Sequence, residues 1–213
     1  MRDIKKIAIL NRGEAALRFI RSLREYNLKR NTSIISAALY TEPERDAPFS
    51  YEADEAISIG PPIKRLRDGG EIHSYCDIPY ILKILKRHRC DALWPGWGFL
   101  SEDADFVEAL EKAGIVFLGP PSKAMRSLGD KVSARELAEK NGIPLAPWIK
   151  LPSHSSKKNI ERAAEELGFP MMVKFSAGGG GRGIKKVSTS ENFYWPSENS
   201  KTQLKPSAPV KYF

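Results

Sequence analysis

The sequence predicts an α/β protein: a parallel β-sheet covered by helices, then a smaller second unit and a disordered tail. Apolar strand-like runs alternate with amphipathic helical segments over residues 1–119, which is typical of a parallel sheet. Residues 120–187 end in a strand, a glycine-rich loop and another strand. Residues 188–213 become polar, proline-rich and aperiodic, so they bury too little apolar surface to offset the ordering entropy.

The elements of the first unit follow from hydrophobic periodicity. Residues 4–10 form an apolar run with β-branched side chains, which is typical of a strand buried in a parallel sheet. A short turn and a helical pattern at residues 15–23 then begin a β-α-β unit. The remaining segments are strands at residues 33–40, 91–94 and 115–118, and helices at residues 78–86 and 103–112, the latter with Ser101 as a candidate cap.

The second unit begins after Gly119-Pro120-Pro121, a sequence that breaks regular structure. Two helices are predicted at residues 122–127 and 131–141, and residues 146–150 are a candidate strand. A polar loop follows, and then a helix at residues 159–167 with Asn159 as its candidate N-cap. This unit has few elements with which to bury a sheet of its own.

Composition limits the classes of function. The net charge of +8 suits an anionic ligand. Nucleic acid is disfavoured, because the basic residues alternate with acidic ones along helices. The sequence has only two cysteines, which makes a disulfide framework unlikely and favours a reducing compartment. These cysteines have no metal-type spacing and the three histidines are isolated, so no metal site is predicted. Without a long apolar run or a signal peptide, we expect a soluble, cytoplasmic protein with no membrane contact.

The glycine-rich loop is the most informative local feature. Glycine has no Cβ, so consecutive glycines let backbone N–H groups approach an anion closely. Lys174 precedes the run of Gly178, Gly179, Gly180 and Gly181, and Arg182 and Gly183 close it. A strand, a flexible loop and a strand with flanking cations predict a lid over nucleotide phosphates. A mobile hairpin loop without a ligand is the alternative.

Three further segments are candidates for ligand contact. The turn at residues 11–14 precedes a helix, whose N-terminus attracts anions, but it has only one glycine and does not match a dinucleotide-binding motif. Residues 94–102 follow a predicted strand at the sheet edge where ligands bind, although Trp97 and Phe99 could equally pack at a domain interface. Lys131 opens a helix, where a cation is unfavourable unless an anion lies nearby.

Together these segments resemble the biotin carboxylase family of acetyl-CoA, propionyl-CoA and pyruvate carboxylases. Five ordered motifs carry the resemblance, which covers residues 4–187: KIAILNRGEAALRFIR (6–21), ADEAISIG (53–60), PGWGFLSE (95–102), FLGPPSKAMRSLGDKVSAR (117–135) and MVKFSAGGGGRGI (172–184). Two positions depart from the family pattern, which usually has His where Trp94 stands and Tyr where Trp97 stands.

The resemblance implies a Rossmann-like N-terminal domain over residues 1–119 and part of an ATP-grasp domain over residues 120–187. Family members use MgATP and bicarbonate to form carboxyphosphate, and they pass CO2 to biotin held on a carrier protein. By resemblance, Lys131 and Lys174 would contact the ATP phosphates or the adenine edge. The loop from Gly178 to Gly183 would close over the phosphates, with Gly180 and Gly181 donating backbone N–H groups.

In the family that this sequence resembles, several functional groups come from parts of the protein beyond the five motifs. The Mg2+ ligands, the bicarbonate-binding groups and the general base have no counterpart in this sequence, so no catalytic or metal-binding residue is assigned. We expect a truncated or frameshifted reading frame that is inactive by itself. The alternative is a short paralogue that binds nucleotide, or docks to a partner, without catalysis.

Partners are also implied by the resemblance. They are the biotin carboxyl carrier and a carboxyltransferase component, whose substrate the sequence does not indicate. A homodimer could form through Arg21 and Glu25 on the first helix, where two solvated charges are the simpler interpretation.

Overall fold

A computed structural model describes residues 3–151, 155–174 and 184–189 of the protein. The chain divides into two compact units, Met1–Arg126 and Ser127–Phe213. Of the predicted tail at residues 188–213, residues 190–213 lie outside the described residues.

The first unit is built on a five-stranded parallel sheet with the strand order β3-β2-β1-β6-β7. The five strands are β1 (Lys6–Ile9), β2 (Ile35–Tyr40), β3 (Glu55–Ser58), β6 (Ala92–Trp94) and β7 (Val116–Phe117). An antiparallel hairpin of β4 (Ile63–Arg65) and β5 (Glu71–His73) lies between β3 and the helix that leads to β6. The helices are α1 (Gly13–Arg30), α2 (Pro48–Glu52), α3 (Ile78–Arg87), α4 (Ala104–Ala113) and α5 (Ser122–Gly129), which spans the division between the units.

Both faces of this sheet are buried, as the apolar run in β1 predicts. Ala8 and Leu10 belong to a large core cluster that includes residues of α3 and α4, whereas Ile9 packs with residues of α1 and α2. Successive side chains of a strand point to opposite faces, so an apolar run without alternation needs helices on both sides. The predicted parallel α/β architecture of the first unit is confirmed.

Two helix caps differ from the prediction. Asp103 caps α4 by accepting a hydrogen bond from the Phe106 N–H at 2.8 Å, and Ser101 instead lies in a turn, with its N–H bonded to the Gly98 carbonyl. Ser156 caps the helix predicted to begin at Asn159, and it accepts a hydrogen bond from the Asn159 N–H. In both cases an equally good capping residue lies at the position three residues before the donor.

The second unit contains α6 (Lys131–Lys140), α7 (Lys157–Leu167) and the antiparallel strands β8 (Met171–Lys174) and β9 (Ile184–Val187). The strand suggested at residues 146–150 is absent. Side chains hold this segment to α6 instead: Trp148 Nε1 donates to Glu139 at 2.6 Å, and the Lys150 ammonium lies 2.8 Å from Glu136. Pro147 has no N–H to contribute to a strand ladder, which disfavours pairing there.

Cys76 and Cys90 are both free thiols. In the described part of the chain, none of the helices combines the length and the apolar character needed to cross a bilayer.

Candidate functional site

The first unit has an open crevice where the strand order of its sheet reverses. The chain passes from β1 to β2 and β3 on one side, and it then returns to β6 and β7 on the other side of β1. The loops that follow β1 and β6 therefore meet at the carboxyl edge of the sheet. Open α/β sheets bind ligands at such switch points. The crevice has a volume of about 560 Å³, and it contains both segments that the sequence singled out at this edge.

The two walls of the crevice are different in character. One wall is the start of α1, with Arg12 at its N-cap position and Glu14 in its first turn. The other wall carries Trp97, which is 64% exposed, and Phe99. Arg12, the carboxylates of Glu14 and Glu44 and an accessible aromatic surface thus line one crevice, which suits a planar ligand with polar oxygens.

A buried amide joins the two walls at the base of the crevice. Asn11 donates from Nδ2 to the carbonyl oxygens of Pro95, at 2.7 Å, and Trp97, at 2.9 Å. Its Oδ1 accepts a hydrogen bond from the Arg12 N–H at 2.9 Å. The side chain is buried, and its donors and acceptor are all engaged.

Glu44 places a half-buried carboxylate beside Arg12. Its Oε2 accepts hydrogen bonds from the Thr41 N–H (3.0 Å), the Thr41 hydroxyl (2.6 Å) and the Tyr75 hydroxyl (3.0 Å), and its Oε1 lies 3.4 Å from Arg12 Nη1. Burial opposes ionisation, but the hydrogen bonds from Thr41 and Tyr75 and the charge of Arg12 outweigh it, so the pKa of Glu44 is lowered. This cluster was not predicted from the sequence. Its local signal was Thr41-x-x-Glu44, a capping-box pattern at a single turn of 3-10 helix.

Aromatic rings support the loop after β6 from behind. Tyr75 is fully buried and stacks on Phe99 with ring centroids 4.6 Å apart, and His73 lies 5.4 Å from Phe99. On the other face of the sheet Trp94 stacks on Phe19 at 4.3 Å. Because contacts between aromatic rings are stabilising, these pairs help to hold the loop in place.

The residues predicted to bind nucleotide belong to the second unit. β8 and β9 pair antiparallel on either side of the glycine-rich segment, with Lys174 opposite Ile184, so the predicted strands on both sides of the loop are confirmed. Gly178, Gly179, Gly180, Gly181, Arg182 and Gly183 lie outside the described residues, as does the side chain of Lys174.

Lys131 is the first residue of α6, as predicted, but its side chain is also outside the described part of the structure. Asp130 caps this helix by accepting hydrogen bonds from the N–H and the hydroxyl of Ser133, both at 2.9 Å. The carboxylate supplies negative charge at the helix N-terminus, where the macrodipole favours it. The unfavourable position of Lys131 is thereby partly compensated within the chain.

Arg21 and Glu25 both lie on the exposed surface of α1. Arg21 makes a two-bond contact with Glu52, with Nη2 to Oε1 at 2.6 Å and Nε to Oε2 at 3.1 Å. Glu25 pairs with Lys29 at 2.6 Å. Hydrogen bonding to Glu52 raises the pKa of Arg21, so the guanidinium stays charged at this surface.

No metal centre is found in the described residues, which hold no group of three or more His, Cys, Asp or Glu side chains arranged to bind an ion.

Two family models match the chain, one after the other. The model of the biotin carboxylase N-terminal domain matches residues 3–125, more than half of the 213 residues. The chain belongs to the biotin carboxylase family. The model of the ATP binding domain of the carbamoyl-phosphate synthase L chain matches residues 130–207.

Curated relatives agree with this membership. Over 184 residues, 86% of this chain, it is 40% identical to the biotin carboxylase of Allochromatium vinosum. It is also 37% identical over 203 residues, 95% of its length, to the pyruvate carboxylase of Bacillus subtilis. The chain spans 38% of the length of the first protein and 17% of the second.

Solved structures of biotin carboxylases share the fold. A biotin carboxylase from Campylobacter jejuni in a β-γ-ATP complex superimposes with a TM-score of 0.74 and 34% identity, over 89% of this chain and 40% of that one. The biotin carboxylase domain dimer of the Hydrogenobacter thermophilus 2-oxoglutarate carboxylase, in complex with MgADP, ADP and bicarbonate, gives a TM-score of 0.73 and 33% identity, over 90% and 39% of the two chains.

Proposed function

We propose that this chain supplies the N-terminal domain and the beginning of the ATP domain of a cytoplasmic, ATP-dependent biotin carboxylase. In this reaction bicarbonate is activated with MgATP to carboxyphosphate, and CO2 is passed to the ureido nitrogen of biotin on a carrier protein. The main support is one arrangement: a switch-point crevice on a parallel sheet, followed in sequence by two antiparallel strands that flank a glycine-rich loop.

In this proposal the crevice of the first unit forms part of the binding site for biotin, which accepts the CO2. The Arg12 guanidinium is held near Glu44 and is exposed to the solvent of the crevice, so it can donate hydrogen bonds to a carbonyl-bearing ligand. Trp97 offers an indole surface on the opposite wall. Because the carboxylates of Glu14 and Glu44 also line the crevice, it suits the neutral, planar ureido ring of biotin better than a phosphate chain.

The nucleotide would be held by the second unit. In this proposal Lys131 and Lys174 contact the ATP phosphates or the adenine edge, and the loop from Gly178 to Gly183, with Arg182, closes over the phosphates. Positive charge and backbone N–H groups stabilise the charge that develops on a transferring phosphoryl group. The ligands of Mg2+ and bicarbonate are assigned to none of the described residues.

Assembly is part of the proposal. The carrier and carboxyltransferase components are the expected partners, and the exposed face of α1 with Arg21 and Glu25 is a candidate dimer contact. Arg21 is already oriented by Glu52, which lowers the entropy that an intermolecular ion pair would cost.

Nucleotide titration tests the proposal on the 213-residue chain. MgATP binding is measured by calorimetry for the wild type and for Lys131→Ala, Lys174→Ala and Lys140→Ala, an exposed lysine at the other end of α6. We expect the first two variants to bind at least about tenfold more weakly and Lys140→Ala to bind as the wild type does. Equal affinity for all four proteins, or no binding by the wild type at millimolar MgATP, would contradict the nucleotide assignment.

A further inference from the structure

The base of the crevice depends on one buried side chain. Asn11 is only 4% exposed, and it is bonded to both of the loops that form the crevice. Its amide nitrogen holds the carbonyls of Pro95 and Trp97, which lie 84 and 86 residues further along the chain. Its amide oxygen holds the backbone of Arg12. A single amide group thus links the backbone of the cationic wall to the backbone of the aromatic wall.

The chemistry of these contacts is specific to asparagine. The two carbonyl acceptors are met by two N–H donors on one nitrogen, and the Arg12 N–H requires an acceptor bonded to the same carbon as that nitrogen. Aspartate has the same shape but no donor, and it would place a carboxylate against two carbonyl oxygens. Serine offers a single donor, and glutamine is longer by one methylene group.

The opposite loop is shaped to admit this side chain. A Cβ on Gly96 would lie 2.5 Å from Asn11 Nδ2 and 2.9 Å from the Trp94 ring, which is closer than non-bonded atoms approach. Gly96 also has a φ of +62°, a conformation that favours glycine. The amide of Asn11 therefore occupies the space that any other residue at position 96 would fill.

We propose that Asn11 is a positioning residue for the carboxylation reaction: it fixes the separation of Arg12 and Trp97, and thereby the fit of the crevice to the biotin acceptor. The inference rests on the proposed function. Asn11 itself touches no ligand, because its polar atoms are used within the chain, and its effect passes through the two residues that face the crevice.

The test follows the environment of Trp97 in the full 213-residue chain. The protein is labelled with 5-fluorotryptophan, and the Trp97 and Trp148 fluorine resonances are assigned with Trp97→Phe and Trp148→Phe. We expect Asn11→Asp to move the Trp97 resonance and to leave Trp148, in the second unit, unchanged. The thermal unfolding temperature of each variant is recorded on the same samples.

A second variant, Gly96→Ala, disturbs the contact between Asn11 and the loop after β6 from the side of that loop. Gly96→Ala displaces the amide of Asn11, whereas Gly60→Ala adds a methyl group at a comparable φ of +83° with nothing within 4 Å of its Cβ. We expect Gly96→Ala, but not Gly60→Ala, to move the Trp97 resonance. An unmoved Trp97 resonance in both Asn11→Asp and Gly96→Ala would overturn the inference.

Titration with free biotin then tests whether Asn11 affects ligand binding or only the local structure. In the wild type biotin should shift the Trp97 resonance, and Asn11→Asp should need at least about tenfold more biotin for the same shift. A wild-type resonance that does not respond, or a variant with unchanged biotin affinity, would overturn the positioning role. MgATP affinity, measured in parallel, should be the same in Asn11→Asp and the wild type. This second measurement tests the proposed nucleotide binding separately from the role of Asn11.

Discussion

The hydroxyl of Tyr75 lies 3.0 Å from the carboxylate of Glu44 and 2.9 Å from the carbonyl oxygen of Leu39, so its one hydrogen is shared between two acceptors. Tyr75 is fully buried, and Glu44 faces the crevice beside Arg12. Burial raises the pKa of Tyr75, and the charge of Glu44 raises it further. This contact connects the core of the first unit directly to the electrostatics of the candidate site.

Removal of the Tyr75 hydroxyl should destabilise the protein. Tyr75→Phe leaves a buried carbonyl without a partner and removes one donor from Glu44, so we expect a loss of about 1–3 kcal/mol in the free energy of unfolding. Urea denaturation followed by circular dichroism measures it. Tyr26→Phe, at a half-exposed position on α1, is the matched control and should change stability little. An equal effect of the two substitutions would contradict the role of the hydroxyl.

Glu44 should make the free energy of unfolding depend on pH in the acidic range. Its pKa in the folded state is lowered from an ordinary value of 4.5, so the folded protein favours the ionised form. The stability this contributes is present above pH 4.5 and is lost as pH falls through the lower folded-state value. We expect Glu44→Gln to be less stable than the wild type at pH 7 and to lose less stability between pH 5 and pH 3. Parallel acid profiles of the two proteins would be the contrary result.

The start of α4 provides a test of local structure. Asp103→Ala removes the side-chain cap and should cost about 1 kcal/mol, whereas Ser101→Ala should have little effect, because the Ser101 contact in the turn is made by its backbone N–H. Thermal unfolding of the two variants distinguishes them. A larger loss for Ser101→Ala would favour the cap that the sequence suggested.

The face of α1 should matter for association more than for stability. Arg21 and Glu52 are paired on an exposed surface, where solvent screens the charges, so Arg21→Gln should change the free energy of unfolding little. If this face forms a dimer contact, sedimentation velocity should show weaker self-association for Arg21→Gln than for the wild type. Arg30→Gln, at the far end of the same helix, should associate as the wild type does. Identical sedimentation of all three proteins over a range of concentrations would exclude the dimer contact.

Much of the fold could be predicted from local pattern. β1 and α3 were found because their apolar residues repeat with the period of the element that they form. β3 and the hairpin of β4 and β5 were not, because these short strands carry exposed and charged residues with no distinct periodicity. Their strand conformation comes from pairing: β3 is held against β2, and β4 against β5.

Some features of the candidate site could likewise be predicted from the sequence, and others could not. The β-α start, the strands around the glycine-rich loop and the helix at Lys131 could be predicted from the sequence, since each depends on residues that are close together along the chain. The family resemblance likewise rests on motifs that are each short and continuous. That Asn11 binds the loop after β6, and that Glu44 lies between Arg12 and Tyr75, became visible in the folded chain alone. These contacts join residues 31 to 86 positions apart. No local periodicity encodes them, because they exist only once the sheet has brought the ends of its strands together.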